Sequence, residues 1–560
     1  MFDAIVIGSG MSGGIVAKEL CERGLKTLLL ERGRHIEHGA DYSDWMQPWD
    51  YPNAGRLPED EAARDYPIQS QCYAMNTTTK QFWVKDSDHP YTTPEDKPFN
   101  WYRGYHLGGR SVTWHRQSYR ISQMDFEANA REGIGSHWPI GYDDLAPWYD
   151  HVEDFVGVSG TRKGVANLPD GDFLPPFGMT DFEKAFAEQL TREFPGRRMF
   201  DARCAHLSEP RDHHRELGRG RCQARDICQS GCSYGAYYSS LSGALPAARK
   251  TGNLTTVTDA IVATIIHDPA TGKVTGVRVV DANSKVGKTY EGRMVFCNAS
   301  TIPTAAILLA STSEAFPEGL ANSSGMVGRN LMDHTSTVVF GTFTDGPKTF
   351  YRGRRPTSCY IPRYRNVTEP ADFRRGYGIQ LASDRSGGIF AALDGPGIGQ
   401  ELKDRAGKPG NWNMRFFAFG EMLPNPDNRV TLHPTKKDKW GIPLPHISCS
   451  WGENETRMMD TAVADCREMI ERAGGTVTLA SGGLFPPGTG IHEMGTACMG
   501  KDPATSVLNR YNQAHDVPNL FITDGSAMAS SPCQNPSLTY MALSARAADA
   551  AAGMLQEGVI

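Results

Sequence analysis

The sequence predicts an α/β protein in which a parallel nucleotide-binding sheet is combined with a second domain. A strand–glycine turn–helix–strand pattern opens the chain, and a strand–turn–helix pattern about 500 residues later can complete the same sheet. The length of 560 residues agrees with this, because single hydrophobic cores stop growing beyond about 250–300 residues. We therefore expect two domains woven from alternating segments of the chain.

Composition excludes several functional classes. Apolar residues make up 39% and charged residues 22%, as in folded globular proteins. With 58 Lys and Arg against 64 Asp and Glu, the net charge is −6, so we expect no nucleic-acid partner. No run approaches about 18 apolar residues, so no transmembrane segment is predicted. Residues 1–3 carry no basic side chain ahead of the apolar residues 4–7, and we expect no export signal on this chain.

The first elements form a nucleotide-binding pattern. Residues 3–7 read as a short buried strand, which leads directly into the run GSGMSG at residues 8–13. Helical spacing follows from Gly14 to Glu22, and a second buried strand, residues 26–30, ends at Glu31. Because strand, turn, helix, strand and acidic residue stand in register, the pattern favours a dinucleotide site over a plain turn.

The glycine and acidic positions have distinct physical roles. Gly8 permits the tight turn, Gly10 lets the backbone approach a pyrophosphate, and Gly13 lets the helix and strand pack closely. The helix N-terminus offers free N–H groups to the phosphate. Glu31 is placed to accept hydrogen bonds from ribose hydroxyls, and the adjacent Arg32 is a further candidate cofactor contact. The pattern does not separate NAD from FAD, although its position at the extreme N-terminus is typical of FAD proteins.

The C-terminal region contains the segments that distinguish these cofactors. They are HEMGTACMG at residues 492–500, NLFITDGS at 519–526, NPSLT at 535–539 and a helical tail at 540–555. Residues 520–522 read as a buried strand, Asp524-Gly525 as a turn and the tail as a helix. A strand–turn–helix unit here can complete the sheet that begins at the N-terminus.

These segments resemble the glucose–methanol–choline (GMC) family of FAD oxidoreductases. HLGGRSVTW at residues 106–114 looks like the family's flavin loop, with Gly108, Gly109 and Ser111 as candidate flavin contacts. VGRNLMDH at 327–334 is similar to a family turn. Residues 294–309 resemble the segment that returns to the FAD, although CNAS at 297–300 replaces the usual glycine-containing run. The resemblance implies a Rossmann-like FAD-binding domain and a substrate domain built on a mostly antiparallel sheet.

The resemblance also assigns the candidate site residues. In family members the histidine at the position of His492 is the catalytic base, and a histidine or asparagine stands at the position of Asn535. Some relatives that oxidise pyranose sugars bind the flavin covalently through a histidine in the glycine loop. The aligned residue here is Thr113, so we predict noncovalent FAD. The remaining implied cofactor contacts are Val262 (at the adenine), Asp524, Gly525 and Pro536.

The His492–Asn535 pair suits alcohol oxidation. The hydroxyl proton must leave to a base while a hydride moves to the flavin N5, and an imidazole is a suitable base near neutral pH. The Asn535 amide can donate to the same oxygen and orient it without competing for the proton. The plain alternatives are a structural His492 and a turn-forming Asn535-Pro536, and the second is compatible with the catalytic role.

Three cysteines form a local cluster, in which Cys222, Cys228 and Cys232 have the spacing C-x5-C-x3-C. Structural zinc sites usually combine two short C-x2-4-C pairs, so this spacing favours iron–sulfur ligation over zinc or unconnected cysteines. Three thiolates favour a [3Fe–4S] cluster, unless a distant residue such as Cys204 completes a four-iron set. A similar spacing occurs in the GMC sugar dehydrogenases that resemble bacterial FAD glucose dehydrogenase and glucoside 3-dehydrogenase.

A cluster would favour a dehydrogenase over an oxidase, because it removes electrons one at a time and competes with oxygen. The sequence has no Cys-x-x-Cys-His haem motif, so the electrons would leave to a separate acceptor. The resemblance implies a small helper subunit and a cytochrome-type acceptor. A twin-arginine signal on the helper would place the enzyme in the periplasm, and cytoplasmic residence is the alternative.

The segments are assigned to two domains. We expect the FAD-binding domain to comprise residues 1–45, 101–120, 205–340 (with the cysteine loop at 221–233) and 485–560. The substrate domain would comprise 46–100, 121–204 and 341–484, with 46–100 as a cover over the pocket. In the first domain, Leu254–His267 and Lys273–Val280 read as paired strands joined by a turn. In the second, Trp412–Met422 reads as a strand whose Phe416, Phe417 and Phe419 favour core packing over contact with a sugar ring.

The combined prediction is an FAD-dependent dehydrogenase that oxidises a secondary hydroxyl of a sugar or glycoside, with C3 as the expected position. Electrons would leave through the iron–sulfur cluster to a separate protein. Three alternatives stay open: a GMC oxidase that returns electrons to oxygen, a non-catalytic flavin electron-relay protein, and a lyase on the same fold.

Overall fold

The computed structural model describes residues 1–349, 357–387 and 397–560. Its strands are β1 (Phe2–Ile7), β2 (Thr27–Leu30), β3 (Phe200–Asp201), β4 (Leu254–Val257), β5 (Ala260–Asp268), β6 (Lys273–Asp281), β7 (Gly287–Cys297), β8 (Thr335–Phe343), β9 (Cys359–Ile361), β10 (Tyr377–Gly387), β11 (Pro409–Gly420), β12 (Arg429–Lys437), β13 (Pro443–Ser448), β14 (Thr476–Ala480) and β15 (Leu520–Phe521). Its α-helices are α1 (Met11–Glu22), α2 (Glu59–Asp65), α3 (Gln123–Glu132), α4 (Tyr142–Val156), α5 (Asp181–Glu193), α6 (Asp212–Glu216), α7 (Ala244–Lys250), α8 (Thr301–Ala310), α9 (Gln400–Ala406), α10 (Glu453–Arg472) and α11 (Ser537–Gln556).

A parallel sheet forms around β1. This strand pairs in parallel with β2 on one side and with the second half of β7 on the other, so that Ile5 stands between Leu28 and Val295. β4 extends the sheet beyond β2, and β15 pairs with β7 at Val295 and Phe296. The prediction that a C-terminal strand completes the N-terminal sheet is confirmed. These strands are apolar along their length because both faces of the sheet are covered.

The first half of β7 continues into an antiparallel meander with β6 and β5. The hairpin turn at residues 269–272 lies where the sequence predicts it, but the single strand predicted from Leu254 to His267 is wrong. The strand is interrupted at residues 258–259, where Asp259 has a left-handed φ of 55°. The N–H groups of Asp259 and Ala260 then bond to the carbonyls of Gly33 and Glu31. As a result β4 remains in the parallel sheet, and β5 turns away over the end of β2.

The second sheet is antiparallel, in the order β14-β8-β11-β10-β9-β3, which confirms the predicted architecture. Its residues alternate between two environments, as expected for strands with one face on a core. Val339 and Phe416 lie in an apolar core with Met458 and Ile470 of α10. The opposite face, which includes Val338 and Phe340 of β8, lines a cavity.

Helices cover the outer face of the parallel sheet. α1 packs against α11, and Arg23 pairs with Asp549 at 2.8 Å. α4 lies against the same layer, since the Tyr149 hydroxyl is 2.8 Å from the Thr539 hydroxyl. The predicted domain boundaries stay a prediction; α4, from the segment assigned to the substrate domain, contacts helices of the nucleotide-binding part. In the described ranges, no helix has the length and apolarity required to cross a membrane.

Candidate active site

A cavity of about 820 Å³ runs between the parallel sheet and the antiparallel sheet, a volume typical of ligand sites. Its lining brings together residues from both ends of the chain. The predicted site residues that line it are Gly8, Gly10, Glu31, Arg32, Gly109, Ser111, Val262, His492, Asp524, Gly525, Asn535 and Pro536. Gly13 and Gly108 stand behind this surface and shape it through packing. The cysteine triad lies outside the lining.

The glycine turn after β1 leaves one open place above a helix terminus. A Cβ on Gly13 would lie 1.9 Å from the Gly8 carbonyl oxygen, and one on Gly8 would lie 2.3 Å from the Asn298 carbonyl oxygen. A Cβ on Gly10 would meet nothing within 4 Å. Gly10 precedes the first turn of α1, whose N–H groups are unpaired within the helix. The turn therefore fits a phosphate group that approaches over Gly10.

The acidic residue at the end of β2 is held by this turn. The Glu31 carboxylate accepts hydrogen bonds from Ser9 N at 3.2 Å, Ser9 Oγ at 2.6 Å and Gly33 N at 2.9 Å. Burial raises its pKa above the ordinary value. Next to it, the Arg32 guanidinium lies 4.2 Å from the Tyr105 ring centroid. Arg32 Nε is one of the buried polar atoms without a hydrogen-bond partner in the described chain, as expected where a polar ligand belongs.

The predicted flavin loop crosses the glycine turn. Gly108 and Gly109 both have left-handed φ values, 83° and 49°, which a side chain would strain. Gly108 N donates to Ser9 Oγ at 2.8 Å, and Ser111 Oγ donates back to the Gly108 carbonyl at 2.6 Å. A Cβ on Gly109 would lie 3.6 Å from the Gly10 Cα. The two glycine segments therefore form one cradle that fits the dinucleotide part of FAD.

At the other end of the cavity, His492 and Asn535 are in contact. His492 Nε2 lies 3.2 Å from Asn535 Nδ2, and His492 Nδ1 lies 3.0 Å from His334 Nδ1. His334 Nε2 is in turn 2.8 Å from the carbonyl oxygen of Pro532. On the far side, Gln380 Nε2 donates to Asn535 Oδ1 at 2.7 Å. The five groups form a continuous hydrogen-bonded chain across the site.

The Pro532 end of this hydrogen-bonded chain determines which atom donates in each of its bonds. The Pro532 carbonyl can only accept, so His334 carries its proton on Nε2 and presents a lone pair at Nδ1. His492 must then donate from Nδ1, which leaves the lone pair of its Nε2 for the cavity side. Without substrate, the amide Nδ2 of Asn535 donates to that lone pair, and a substrate hydroxyl would take its place. The network therefore places the basic nitrogen of His492 in the cavity.

The electrostatic environment keeps both imidazoles neutral. Burial lowers the pKa of His492 well below its ordinary value, and His334, Arg110 and His115 lower it further. Burial also lowers the pKa of His334 to about 4. A neutral imidazole is what a general base requires before it takes a proton. The arrangement can therefore accept a proton from a substrate hydroxyl at neutral pH.

Several contributors to the site were not assigned by sequence reasoning. Asp333 accepts hydrogen bonds from the N–H groups of Gly488, Gly490 and His492, at 2.8–2.9 Å, and so anchors the segment before the base. His334 follows it and ends the VGRNLMDH run, for which the resemblance implies a turn and no side-chain role. Arg110 pairs with buried Glu493 at 2.6 Å. That pair, and Gln380, carry no local sequence signal.

The aromatic residues of β11 have two roles. Phe416 is fully buried in the core beneath the antiparallel sheet, as the sequence analysis favoured. For Phe417 and Phe419 that preference is wrong, because both line the cavity. The Phe419 ring centroid lies 5.6 Å from that of His492. The period of two along a strand separates these neighbours into different faces.

The cysteine loop is a tightly twisted segment beside the flavin loop. Ala224, Asp226 and Gly231 have φ values of 53°, 59° and 97°. Backbone N–H groups of Tyr234, Ala236 and Tyr237 hydrogen-bond to Cys232, and that of Ala224 to Cys222. Such donors favour the thiolate form, but burial has the larger effect and raises the pKa of Cys222 and of Cys232. As the side chains stand, no group of three or more His, Cys, Asp or Glu in the described residues could hold a metal ion.

The loop connects to the cavity through one aromatic residue. The pKa of Tyr237 is raised chiefly by burial and also by neighbours that include Cys228 and Cys232. Its hydroxyl donates to the Val112 carbonyl at 2.6 Å, and the Arg116 guanidinium lies 4.8 Å from its ring. Arg116 lines the cavity. Cys204 is fully buried nearby, with its Sγ 3.4 Å from Ser159 Oγ.

Several known proteins are similar to this chain over nearly its whole length. The chain is 30% identical over 566 residues to 2-methyl-1,2-propanediol dehydrogenase from Mycolicibacterium austroafricanum, covering 98% of this chain and 94% of that protein. It is 28% identical to the fructose dehydrogenase large subunit from Gluconobacter japonicus, covering 99% and 98%. Among solved structures, pyridoxine 4-oxidase from Mesorbium loti shares the fold, with a TM-score of 0.58, 16% identity and coverage of 98% and 99%.

Two family models together match most of the chain. A GMC oxidoreductase model for the N-terminal part matches residues 2–336, and one for the C-terminal part matches residues 424–544. These ranges contain the glycine cradle, His492 and Asn535. The chain belongs to the GMC oxidoreductase family and is an FAD-dependent enzyme that acts on CH–OH groups.

Proposed function

We propose that the protein is a dehydrogenase that oxidises a secondary hydroxyl of a sugar or glycoside, with C3 as the expected position, using noncovalently bound FAD. The observation that carries the catalytic part is the directed hydrogen-bonded chain that leaves the His492 Nε2 lone pair in the cavity. The similarity to a sugar dehydrogenase subunit supports the substrate class. Polar side chains that line the cavity, among them Gln380 and Arg415, are compatible with a polyhydroxylated substrate.

The chain's own residues account for the proton and for orientation. His492 Nε2 takes the hydroxyl proton as the substrate C–O bond becomes a carbonyl. When the hydroxyl takes the place of the Asn535 amide at His492 Nε2, Nδ2 of Asn535 can donate to the substrate oxygen and align the C–H bond. Phe417 and Phe419 exclude water from this end of the cavity. Bound FAD supplies the hydride acceptor, so the proton and the hydride leave to different groups. Thr113 at the cavity wall offers no imidazole for covalent attachment.

We further propose that Cys222, Cys228 and Cys232 hold a [3Fe–4S] cluster. Their spacing, the N–H donors directed at two of them, and the connection through Tyr237 to a cavity residue support this. A cluster there would supply one-electron transfer to a separate protein. A small helper subunit and a cytochrome-type acceptor are part of the proposal, and the helper's export signal would direct the complex to the periplasm. Cell fractionation of a strain that expresses both subunits tests the location, and a cytoplasmic complex would contradict it.

The decisive experiment is anaerobic reduction of the purified protein by a panel of glycosides, sugars and small diols, followed by the flavin absorbance. We expect bleaching by substrates that yield 3-keto products. His492→Ala should slow this step by about 10²- to 10⁴-fold, the range for a positioned base. The exposed His137→Ala is the matched control and should leave the rate unchanged. Flavin reduction in His492→Ala at the parental rate would exclude the base role, and a flavin that no alcohol reduces in the parental protein would favour the electron-relay alternative.

The cluster has its own test, which is iron content with low-temperature EPR. We expect iron and a paramagnetic signal in the parental protein, and loss of both in Cys228→Ser. Cys466→Ala, which lies in the core under the antiparallel sheet, should retain them. An iron-free protein that turns over with oxygen and releases hydrogen peroxide would favour the GMC oxidase alternative. Product formation without any electron acceptor would favour the lyase.

A further inference from the structure

The antiparallel sheet contributes one hydrogen bond to the candidate active site. Gln380 lies on β10, a strand that is paired on both sides, opposite Tyr360 of β9 and Phe417 of β11. Its backbone position is therefore fixed by two ladders of hydrogen bonds. The side chain is buried, lines the cavity, and donates from Nε2 to Asn535 Oδ1 at 2.7 Å.

The amide of Asn535 can stand in two orientations that differ by a half-turn. In one, Nδ2 faces His492 and Oδ1 faces Gln380; in the other, the two atoms exchange places. The direction set from Pro532 requires that His492 receive a donor at Nε2. The Gln380 amide can turn either of its own atoms toward Asn535, and with Nε2 toward Oδ1 it completes the direction set from Pro532. A group at position 380 that could only accept would oppose that direction, whereas the Gln380 donor reinforces it.

We propose that Gln380 is a positioning residue that holds the amide of Asn535 in the orientation in which Nδ2 faces His492 Nε2. The inference rests on the proposed function for the reaction, but not for the hydrogen-bond geometry. It gives the antiparallel sheet a role in the chemistry besides the walls of the cavity. The other titratable or charged groups around the pair are His334, His115 and Arg110 at His492 and Asp333 at its backbone N–H. Arg415, paired with Asp384, lies on the neighbouring strand.

Two substitutions at position 380 separate orientation from packing. Gln380→Met keeps the length and removes the hydrogen bond, so Asn535 loses its orientation and flavin reduction slows by up to about 100-fold at every pH. Gln380→Glu behaves differently. A protonated carboxyl can donate as the amide does, whereas an ionised carboxylate only accepts and draws Nδ2 of Asn535 to itself. The rate of Gln380→Glu relative to the parental protein should therefore fall as pH rises, and that of Gln380→Met should not change with pH.

A readout that needs no substrate accompanies the kinetics. In protein labelled with ¹⁵N-histidine, the His492 resonances are identified by their loss in His492→Ala. We expect an unprotonated Nε2 in the parental protein and in Gln380→Met, and a protonated Nε2 in Gln380→Glu at high pH. FAD content and the melting temperature control for folding, and the exposed Gln556→Glu is the matched charge control.

The outcomes are distinct. If Nε2 carries a proton in the parental protein, or if Gln380→Glu matches the parental spectrum at high pH, the proposal is overturned. A parallel pH dependence of Gln380→Glu and the parental protein also overturns it. If no alcohol reduces the flavin, the proposed function fails while the nitrogen resonances still decide the role of Gln380.

Discussion

At the residue scale, the chemistry of the site depends on which nitrogen of His492 carries a proton. Sequence identifies the histidine but does not determine its tautomer. The tautomer follows from the bond between His334 and the Pro532 carbonyl, which propagates through the two imidazoles. The hydrogen-bond partner of one ring nitrogen commonly sets the orientation of a functional imidazole and the basicity of its other nitrogen. His334 therefore acts through His492 as a positioning residue.

The shifted pKa of His492 predicts the pH dependence of flavin reduction. Burial lowers this pKa, so the imidazole remains neutral below its ordinary pKa of about 6.5. We expect the anaerobic reduction rate to be flat from about pH 8 down to about pH 6.5 and to fall only at lower pH. Stopped-flow absorbance across this range checks it. A rate that halves near pH 6.5 or above would show that the site leaves the imidazole at its ordinary pKa.

The same shift has a consequence for stability. Below about pH 6.5 the unfolded chain protonates its histidines while folded His492 and His334 remain neutral. The stability that these two neutral histidines contribute to the folded state is therefore fully present above that pH. It is lost as the pH falls towards their pKa values in the folded protein. His334→Phe should reduce the loss of stability between pH 7 and 5 in chemical denaturation. An unchanged pH dependence in this variant would argue against a neutral, buried His334.

At the element scale, the turn between β1 and α1 combines two glycine requirements that differ in kind. Gly13 is required by packing, because a Cβ would lie 1.9 Å from the Gly8 carbonyl oxygen. Packing within the protein gives no reason for a glycine at position 10, since a Cβ there would meet no atom within 4 Å. The first supports the junction of helix and strand, and the second leaves room for a ligand.

This difference predicts two separable phenotypes. Gly13→Ala should lower the free energy of unfolding by about 1–3 kcal/mol, the usual cost of overpacking, and should weaken FAD retention. Gly10→Ala should leave the stability of the FAD-free protein nearly unchanged and weaken FAD retention alone. Urea denaturation and the flavin absorbance of purified protein measure both. Gly553→Ala, at an open position in α11, is the control and should retain FAD. Equal losses of stability in Gly10→Ala and Gly13→Ala would contradict this assignment.

At the scale of the whole molecule, the cavity lies between two sheets that are far apart in the sequence. Its walls come from the N-terminal strand, the segment after β7, the antiparallel sheet and the C-terminal region. A ligand held there contacts all of them and binds only the folded chain. Such a ligand stabilises the folded state by mass action.

Removal of FAD should therefore loosen the molecule as a whole. We expect the FAD-free protein to melt at a lower temperature, and added FAD at about 1,000 times its Kd to restore about 4 kcal/mol. Differential scanning calorimetry at several FAD concentrations checks the expected rise. Riboflavin, which lacks the pyrophosphate that Gly10 accommodates, serves as the comparison and should restore much less. A melting temperature that does not respond to FAD would contradict a cofactor site between the sheets.

Elements with a local signal could be predicted from the amino-acid sequence. The strand–glycine–helix unit with Glu31 and the C-terminal strand and helix are readable from short runs, because turns, helix starts and buried strands have their own residue chemistry. His492 and Asn535 were assigned through the resemblance of their segments to the GMC family. The tertiary structure was needed for three other features. They are the interruption of the strand before Asp259, the division of Phe416 from Phe417 and Phe419, and the contributions of His334, Asp333 and Gln380. Each depends on partners more than 100 residues away or on which face of a strand meets the cavity. Long-range contacts of that kind leave no pattern within a single segment, and they set the direction of the hydrogen-bonded chain on which the chemistry depends.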